Sequence, residues 1–321
     1  MRPLDFLQQI NTHNFESFAL DTFDKQYASN PIYRQFVDTL SRPRPRQLAE
    51  IPFLPISFFK SHEVKTESAL VQKVFLSSGT TGQERSRHFV TDLNWYNDSL
   101  LQGFENVFGP VSDFVFIALL PSYLENGDSS LIYMLDQLIH KSGSSLCGFY
   151  APDPKEVSEV VAAALSSGKR PFVFGVSYAL LDLAAAQLNL SKAIVLETGG
   201  MKGRREELSK EALHAALQKG FGLERIYSEY GMTELLSQAY SVDHQTFSCP
   251  PWMQIRIRDV YDPFTEVPFG QKGGVNIIDL ANQNSCAFIQ TDDLGRLTSE
   301  GFKLEGRLAA TDIRGCNLLI D

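Results

Sequence analysis

The sequence predicts an α/β protein in which helices cover a mostly parallel sheet and a small β-rich region follows. Three observations carry that expectation. Between about residues 70 and 235, apolar runs of strand length alternate with segments whose apolar residues recur every three or four positions. Polar, glycine-bearing segments follow three of those strands, at Ser77–Gly82, Glu197–Lys202 and Tyr227–Glu234. From residue 246 onward the helical period is lost, and short apolar runs are separated by Gly- and Asp-rich turns. At 321 residues, 43% hydrophobic and 21% charged, the chain has the balance of an ordinary globular protein of one large or two smaller domains.

Taken in order, residues 1–70 read as a helical and then loop-rich segment. Phe15, Phe18, Ala19, Phe23 and Tyr27, and then Tyr33, Phe36 and Leu40, fall at helical spacing. Pro52 and Pro55 impose an extended path on Ile51–Lys60. Residues 71–245 read as an α/β core. Its expected strands are Val71–Leu76, Phe114–Leu120, Ser145–Tyr150, Pro171–Val176, Ala193–Glu197 and Arg225–Tyr227. Its expected helices are Thr91–Phe108, Ser129–Lys141 stopped near Gly143, Asp153–Gly168 opened by Asp-Pro, Tyr178–Leu188 and Glu206–Lys219. Residues 246–321 form the β-rich part, with strands at Gln254–Ile257, Val275–Asp279, Ala287–Gln290 and Phe302–Leu304. There is no internal repeat and no low-complexity tract.

Charge and composition exclude several classes. With 29 Lys plus Arg against 38 Asp plus Glu, the net charge of −9 disfavours nucleic acid and anionic lipid as partners. The N-terminal stretch lacks the apolar core of a secretory signal, and the longest apolar run, Phe114–Leu120, is too short for a membrane span. Cys147, Cys249, Cys286 and Cys316 are widely spaced, which fits a reduced, cytoplasmic setting. The six histidines show no metal-ligand spacing, so zinc chemistry is not expected.

In open α/β sheets, ligands bind beyond the carboxyl ends of the strands, so the three polar segments are the candidate site. Ser77, Ser78, Thr80 and Thr81 offer hydroxyls, Gly79 and Gly82 let main-chain N–H groups curl around an anion, and Arg85 and Arg87 follow. The spacing is not that of a Walker A loop, and a solvated turn is the plain alternative. Tyr230-Gly231-Met-Thr233-Glu234 combines a ring for stacking, a tight glycine, a hydroxyl and a carboxylate suited to Mg2+. Its plain alternative is a buried strand end with a solvated Glu. Thr291-Asp-Asp-Leu-Gly-Arg296 reads as a tight acidic turn that either holds a ribose or is an ordinary hairpin.

Ser77–Gly82, Tyr230–Glu234, Thr291–Asp293 and Gly306-Arg307 together resemble the ordered motifs of adenylate-forming enzymes: acyl-CoA synthetases, adenylation domains and luciferases. Pro52-Phe-Leu-Pro-Ile56, Phe58-Phe-Lys60 and Arg314-Gly-Cys-Asn317 are similar, more narrowly, to the acyl-protein synthetase family, which includes the fatty-acid ligase of bacterial luminescence. The resemblance implies that fold's large N-terminal domain, ATP and Mg2+ as cofactors, and a carboxylic acid, fatty or aryl, as substrate. It implies that Ser78, Thr80 and Thr81 wrap the terminal phosphates, with Arg85 where many members carry Lys. Gly199 and Gly200 would line the adenine slot where Tyr230 stacks. Thr233 would touch the α-phosphate, Glu234 would hold Mg2+, and Arg307 would lie near a hinge. Asp293 would bind the ribose, but Asp292 stands where a glycine is usual, so both remain candidates. The family's usual second domain carries a lysine that assists adenylation, and that lysine is not expected in this sequence.

The mechanism so implied is attack of a carboxylate on the α-phosphate, giving an acyl-adenylate, with transfer to a protein thiol for which Cys316 beside Arg314 is the candidate. Its plain alternative is a small buried cysteine. An acceptor protein, a reductase or a carrier protein would be the partner. One rival is a non-catalytic nucleotide- or acyl-binding subunit of a multi-enzyme complex. Another is an α/β-hydrolase, since Gly175-Val-Ser177-Tyr-Ala179 approaches a nucleophile elbow, with His214 or His244 as base and Ala179 in place of the second glycine. For the acyl group, Gly175–Leu181 with Tyr178 would form one wall of a pocket.

Overall fold

A computed structural model describes residues 2–78, 84–120, 127–199, 208–243 and 245–308. Along the chain run α1 (Pro3–Leu7), α2 (Phe15–Ser29), α3 (Pro31–Thr39), β1 (Leu54–Pro55), α4 (Phe58–Ser61), β2 (Lys73–Leu76), β3 (Arg87–Val90), α5 (Leu93–Phe108), β4 (Phe114–Leu119), α6 (Ser130–Ser142), β5 (Gly148–Phe149) and α7 (Pro154–Ser166). Then follow β6 (Arg170–Val176), α8 (Ser177–Ala185), β7 (Ile194–Thr198), α9 (Lys210–Phe221), β8 (Tyr227–Tyr230), β9 (Ala239–Asp243), β10 (Thr246–Ser248), β11 (Met253–Arg258), β12 (Gly273–Asp279), β13 (Phe288–Thr298) and β14 (Gly301–Arg307). The expected α/β class, with a β-rich C-terminal part, is the class observed. The described residues fall into two compact units. One holds the chain up to Ser99, Thr233–Ser237 and the residues from Ser248 on; the other holds Leu100–Met232 and Gln238–Phe247.

The second unit is built on parallel strands. β5, β4, β6, β7 and β8 lie side by side and parallel, and β9 adds antiparallel to β8. β4 and β6 are almost wholly buried, which explains why they read as unbroken apolar runs rather than alternating ones. Helix ends follow local chemistry. The Asp153 carboxylate accepts from the Glu156 amide at 2.9 Å ahead of Pro154, and Ser209 caps α9 at Ala212. α6 stops where Gly143 takes a left-handed φ of 64°. Phe104, Phe114, Phe116 and Phe172 make mutual ring contacts at 5.2–6.1 Å, and Phe108 and Tyr240 extend the cluster. Many of the chain's phenylalanines are therefore core. Helices α8 and α9 meet so closely that a Cβ on Gly220 would lie 2.6 Å from the Ala184 carbonyl oxygen.

The first unit is an antiparallel meander, β11–β12–β13–β14, with β1 pairing parallel to the start of β13. The extended path holds only as far as Pro55, where Leu54 and Pro55 sit opposite Ile289 and Gln290; the expected extension to Lys60 is overturned by α4, which begins at Phe58. The loop joining β12 to β13 is buried, and its polar groups are met by the N-terminal helices. Gln26 donates to the carbonyls of Asn282 (2.8 Å) and Gln283 (3.2 Å) and accepts from the Ala287 amide (3.0 Å). Asn30 donates to the Ser285 carbonyl at 3.0 Å, and the Ser285 hydroxyl donates to the Val64 carbonyl at 2.6 Å. Phe23 and Tyr33 pack their rings on Phe288.

Three further expectations are corrected. β2 does not join the parallel sheet. It pairs antiparallel with β3, Lys73 opposite Val90 and Leu76 opposite Arg87, because Arg87-His-Phe-Val90 is a strand rather than an approach to the next helix. Ser77–Gly82 therefore lies between two strands, not between strand and helix. Thr291–Arg296 is not a turn: it lies inside the eleven-residue strand β13, where a register shift between Asp293 and Gly295 absorbs the kink. Gly295 is required there, since a Cβ would sit 2.5 Å from the Lys303 carbonyl. The strand expected at Arg225–Tyr227 runs instead over Tyr227–Tyr230 and draws half of the third polar segment into the sheet. Among the described residues, no helix is long and apolar enough to cross a membrane.

Gly220→Ala is expected to lower the melting temperature. The helix gains about 1 kcal/mol of propensity, but overpacking the backbone of α8 costs about 1–3 kcal/mol. Thermal unfolding by circular dichroism reads the balance.

Candidate functional site

In the first unit, the hairpin of β2 and β3 continues past its strands. The Ser77 amide donates to the Ser86 carbonyl at 3.0 Å and the Ser86 amide to the Ser77 hydroxyl at 2.9 Å. Arg85 folds back on this hairpin, its guanidinium donating to the carbonyls of Ser77 and, at 3.4 Å, Leu76. Ser78 is exposed. Gly79, Thr80, Thr81 and Gly82 lie outside the described residues.

The segment Thr233–Ser237 is fixed from both sides. The His88 ring, on β3, donates through Nδ1 to the Thr233 carbonyl at 2.8 Å, and its Nε2 faces the Asn282 side-chain oxygen at 3.2 Å. Asn282 Nδ2 donates to the carbonyls of Glu234 (2.9 Å) and Cys286 (3.0 Å). Further along, Asp279 accepts from the amides of Leu236 (2.8 Å) and Ser237 (3.0 Å) and from the Ser237 hydroxyl (2.5 Å). Trp252 donates its indole N–H to the hydroxyls of Ser237 and Ser99. Burial pushes the His88 imidazole down to about 4, against its two acceptors. The ring is thus neutral near pH 7, and its single proton goes to the shorter contact.

Glu234 is buried, and its carboxyl is raised above the ordinary range by burial; the Ser86 hydroxyl, its own amide and the charges of Lys60 and Arg307 oppose that rise. Asp293 and Arg307 face each other across β13 and β14, with Arg307 Nε donating to Asp293 Oδ1 at 2.9 Å. Asp293 is buried and Asp292 exposed, so strand alternation gives the two carboxylates different surroundings.

In the second unit, Tyr230 ends β8 with its ring buried against Phe247 at 6.0 Å, and Gly231 follows, where a Cβ would meet the Glu229 carboxylate. Gly199 leaves β7 with a left-handed φ of 70°. Gly200 lies outside the described residues. Between these strands sits a polar cluster. Glu197 is buried and accepts from Lys210, Ser228 (2.6 Å), His214 (3.4 Å) and Ser177 (3.2 Å). Burial alone would raise this carboxyl, but His214, Lys210 and Ser228 outweigh it and hold it at about 2. On the next strand Glu229 accepts from the Thr198 hydroxyl, and burial, helped by the Glu197 charge, pushes it up to about 7.

Ser177 is also accounted for. It opens α8, is 1% exposed, and spends its hydroxyl on Glu197 and, at 2.9 Å, the Gly199 carbonyl. His214 reaches the same carboxylate but turns Nε2 to Glu197 and Ser228 (3.1 Å). The hydroxyl is a structural donor, which counts against the hydrolase reading. His244 and Cys316 lie outside the described residues. His88, Asn282 and Asp279 were not singled out from the sequence. Their signal was faint: a histidine inside a short alternating strand, and polar residues interrupting the end of an apolar run, Val275-Asn-Ile-Ile-Asp-Leu-Ala-Asn282. Among the described residues, no three His, Cys, Asp or Glu groups gather as a metal site.

No protein-family model matches the chain, and no curated protein matches it. Solved structures do. An open conformation of 2-hydroxyisobutyryl-CoA ligase in complex with 2-HIB-AMP and CoA superposes with a TM-score of 0.67 at 13% identity, over 93% of this chain and 71% of that one. ATP-bound MatB from Rhodopseudomonas palustris gives 0.56 at 17% identity, over 75% and 48%. A long-chain-fatty-acid-CoA ligase from Archaeoglobus fulgidus gives 0.53 at 16%, over 74% and 52%. At these identities the likeness is one of fold: the chain has the fold of the adenylate-forming ligases that its motifs resemble. It spans about half the length of MatB.

Two pH dependences follow. Between pH 6.5 and about 4 the unfolded chain binds a proton at His88 that the folded chain does not, so stability is lost as pH falls through that window. His88→Phe should flatten this part of the stability profile. Glu229 has the opposite sign: from pH 4.5 to about 7 the folded state holds a proton that the unfolded state has lost, so stability falls as pH rises. Glu229→Gln should gain on the wild type between pH 5 and 8 in urea denaturation.

Proposed function

We propose that the protein activates a carboxylic acid by adenylation. A carboxylate oxygen of the acid attacks the α-phosphorus of ATP, the bond to the β-phosphate oxygen breaks, and pyrophosphate leaves with its electron pair. The step requires positioning and charge neutralisation rather than a protein proton donor. The observation that carries this reading is the pinned Thr233-Glu234 segment on a chain with the fold of adenylate-forming ligases.

The donor set suits Mg2+ that arrives with a nucleotide. Mg2+ is commonly held by one or two carboxylates together with substrate phosphates, and Glu234 offers one buried carboxylate with, among the described residues, no three-ligand cluster around it. The ion supplies charge neutralisation at the phosphates when bound. Thr233 would direct its hydroxyl to the α-phosphate, Asp293 would accept from the ribose hydroxyls with Arg307 holding it, and Ser77, Ser78, Thr80 and Thr81 would donate to the terminal phosphates. In this reading Arg85 leaves its carbonyl partners to meet phosphate oxygens, while Tyr230, Gly231, Gly199 and Gly200 serve the base.

The acyl group then passes to a thiol that has given its proton to solvent: the thiolate sulfur bonds to the acyl carbon, the bond from that carbon to the phosphate oxygen breaks, and AMP leaves with its electron pair. Burial pushes both Cys249 and Cys286 up to about 12, which argues against either as the nucleophile. Cys316, which the family resemblance singles out, is the candidate acceptor, with a fatty or aryl acid as substrate and a reductase or carrier protein as partner.

Acid-dependent ATP–pyrophosphate exchange across a panel of carboxylic acids should show turnover with at least one acid. Glu234→Gln should cut it by about 100–1000-fold, the scale of losing one charge-stabilising group. Binding of ATP without exchange for any acid would favour a nucleotide-binding subunit instead. Acyl label should stay on wild-type protein and be released by hydroxylamine, and Cys316→Ser should abolish it.

A further inference from the structure

We propose that His88 and Asn282 are positioning residues for adenylation: by gripping the consecutive carbonyls of Thr233 and Glu234, they set where the Thr233 hydroxyl and the Glu234 carboxylate point. This rests on the activity proposed above but concerns two residues to which that activity assigns no contact with substrate.

The geometry supports it from several directions. His88 Nδ1 to the Thr233 carbonyl is 2.8 Å and Asn282 Nδ2 to the Glu234 carbonyl is 2.9 Å. Both side chains are 0% exposed. The second Asn282 donor goes to the Cys286 carbonyl, so the amide cannot turn over without losing two hydrogen bonds. His88 meets Phe59 edge to face at 5.8 Å. An apolar ring would fill that space without the desolvation cost of an imidazole; it would lack a donor for Thr233. Asp279 independently holds the amides of Leu236 and Ser237. The two grips are therefore separable: losing the His88 donor frees the start of the segment and leaves its end tied.

An asparagine side chain carries its N–H2 where the imidazole carries Nδ1, whereas a glutamine reaches the position of Nε2. His88→Asn should keep the grip on Thr233; His88→Gln and His88→Phe should lose it. In acid-dependent ATP–pyrophosphate exchange, Phe and Gln should lower kcat about 10–100-fold with KM for ATP within about threefold, and Asn should recover kcat to within about threefold of wild type. Amide hydrogen exchange gives a readout that does not need turnover: in the Phe variant, exchange over residues 231–235 should speed up about tenfold or more while Leu236 and Ser237 stay protected. Equal losses in Asn, Gln and Phe that follow only their melting temperatures would overturn the proposal, as would unchanged exchange over 231–235. Should His88→Phe not fold, the Asn and Gln pair carries the same comparison. No turnover in the wild type with any acid would defeat the activity and with it the catalytic role; unaltered hydrogen exchange with a turning-over wild type would defeat the grip alone.

Discussion

A buried loop has to find a partner for every main-chain polar group it takes out of water, because an orphaned N–H or C=O costs as much as a lost hydrogen bond. The loop between β12 and β13 meets that demand from outside itself. Gln26 and Asn30 from the N-terminal helices serve four of its main-chain groups, and Gln283 ties back to Thr22 and the Leu280 carbonyl. With the loop so held, Asp279 and Asn282 can spend their side chains on Thr233–Ser237. Helices α2 and α3 thus matter to the candidate chemistry through one stretch of nine residues.

The second unit shows how neighbouring strands make two like residues unlike. Glu197 and Glu229 are both glutamates near the ends of parallel strands, and both are removed from water. Four donors, one of them a lysine, converge on the first and keep it ionised; a single hydroxyl serves the second, which also feels the first one's charge. Donor count and neighbouring charge, rather than residue type, separate a carboxyl at about 2 from one at about 7.

The parts of the fold legible in the sequence were those governed by local rules. The Asp153-Pro154 start, the Gly143 stop, the apolar run of β4 and Pro55 in β1 each depend on residues within one turn or one strand. What misled were segments whose structure depends on a distant partner. Arg87–Val90 is a strand because Lys73–Leu76 lies opposite it, and Asp293–Arg296 stays extended because β14 accepts a register shift there. The site divides in the same way. Glu234, Asp293 and Arg307 stood out through short-range motif, and the last two do meet. His88 and Asn282 become visible only when residues 145 and 48 positions apart are brought within hydrogen-bond reach.

The ribbon of β2 and β3 pairs with itself alone as a two-stranded sheet. Tilting it as a body would break no rung of the meander β11–β14. Yet it carries the imidazole fastened to Thr233. Any shift of the ribbon is therefore passed to residue 233 through a lever one side chain long.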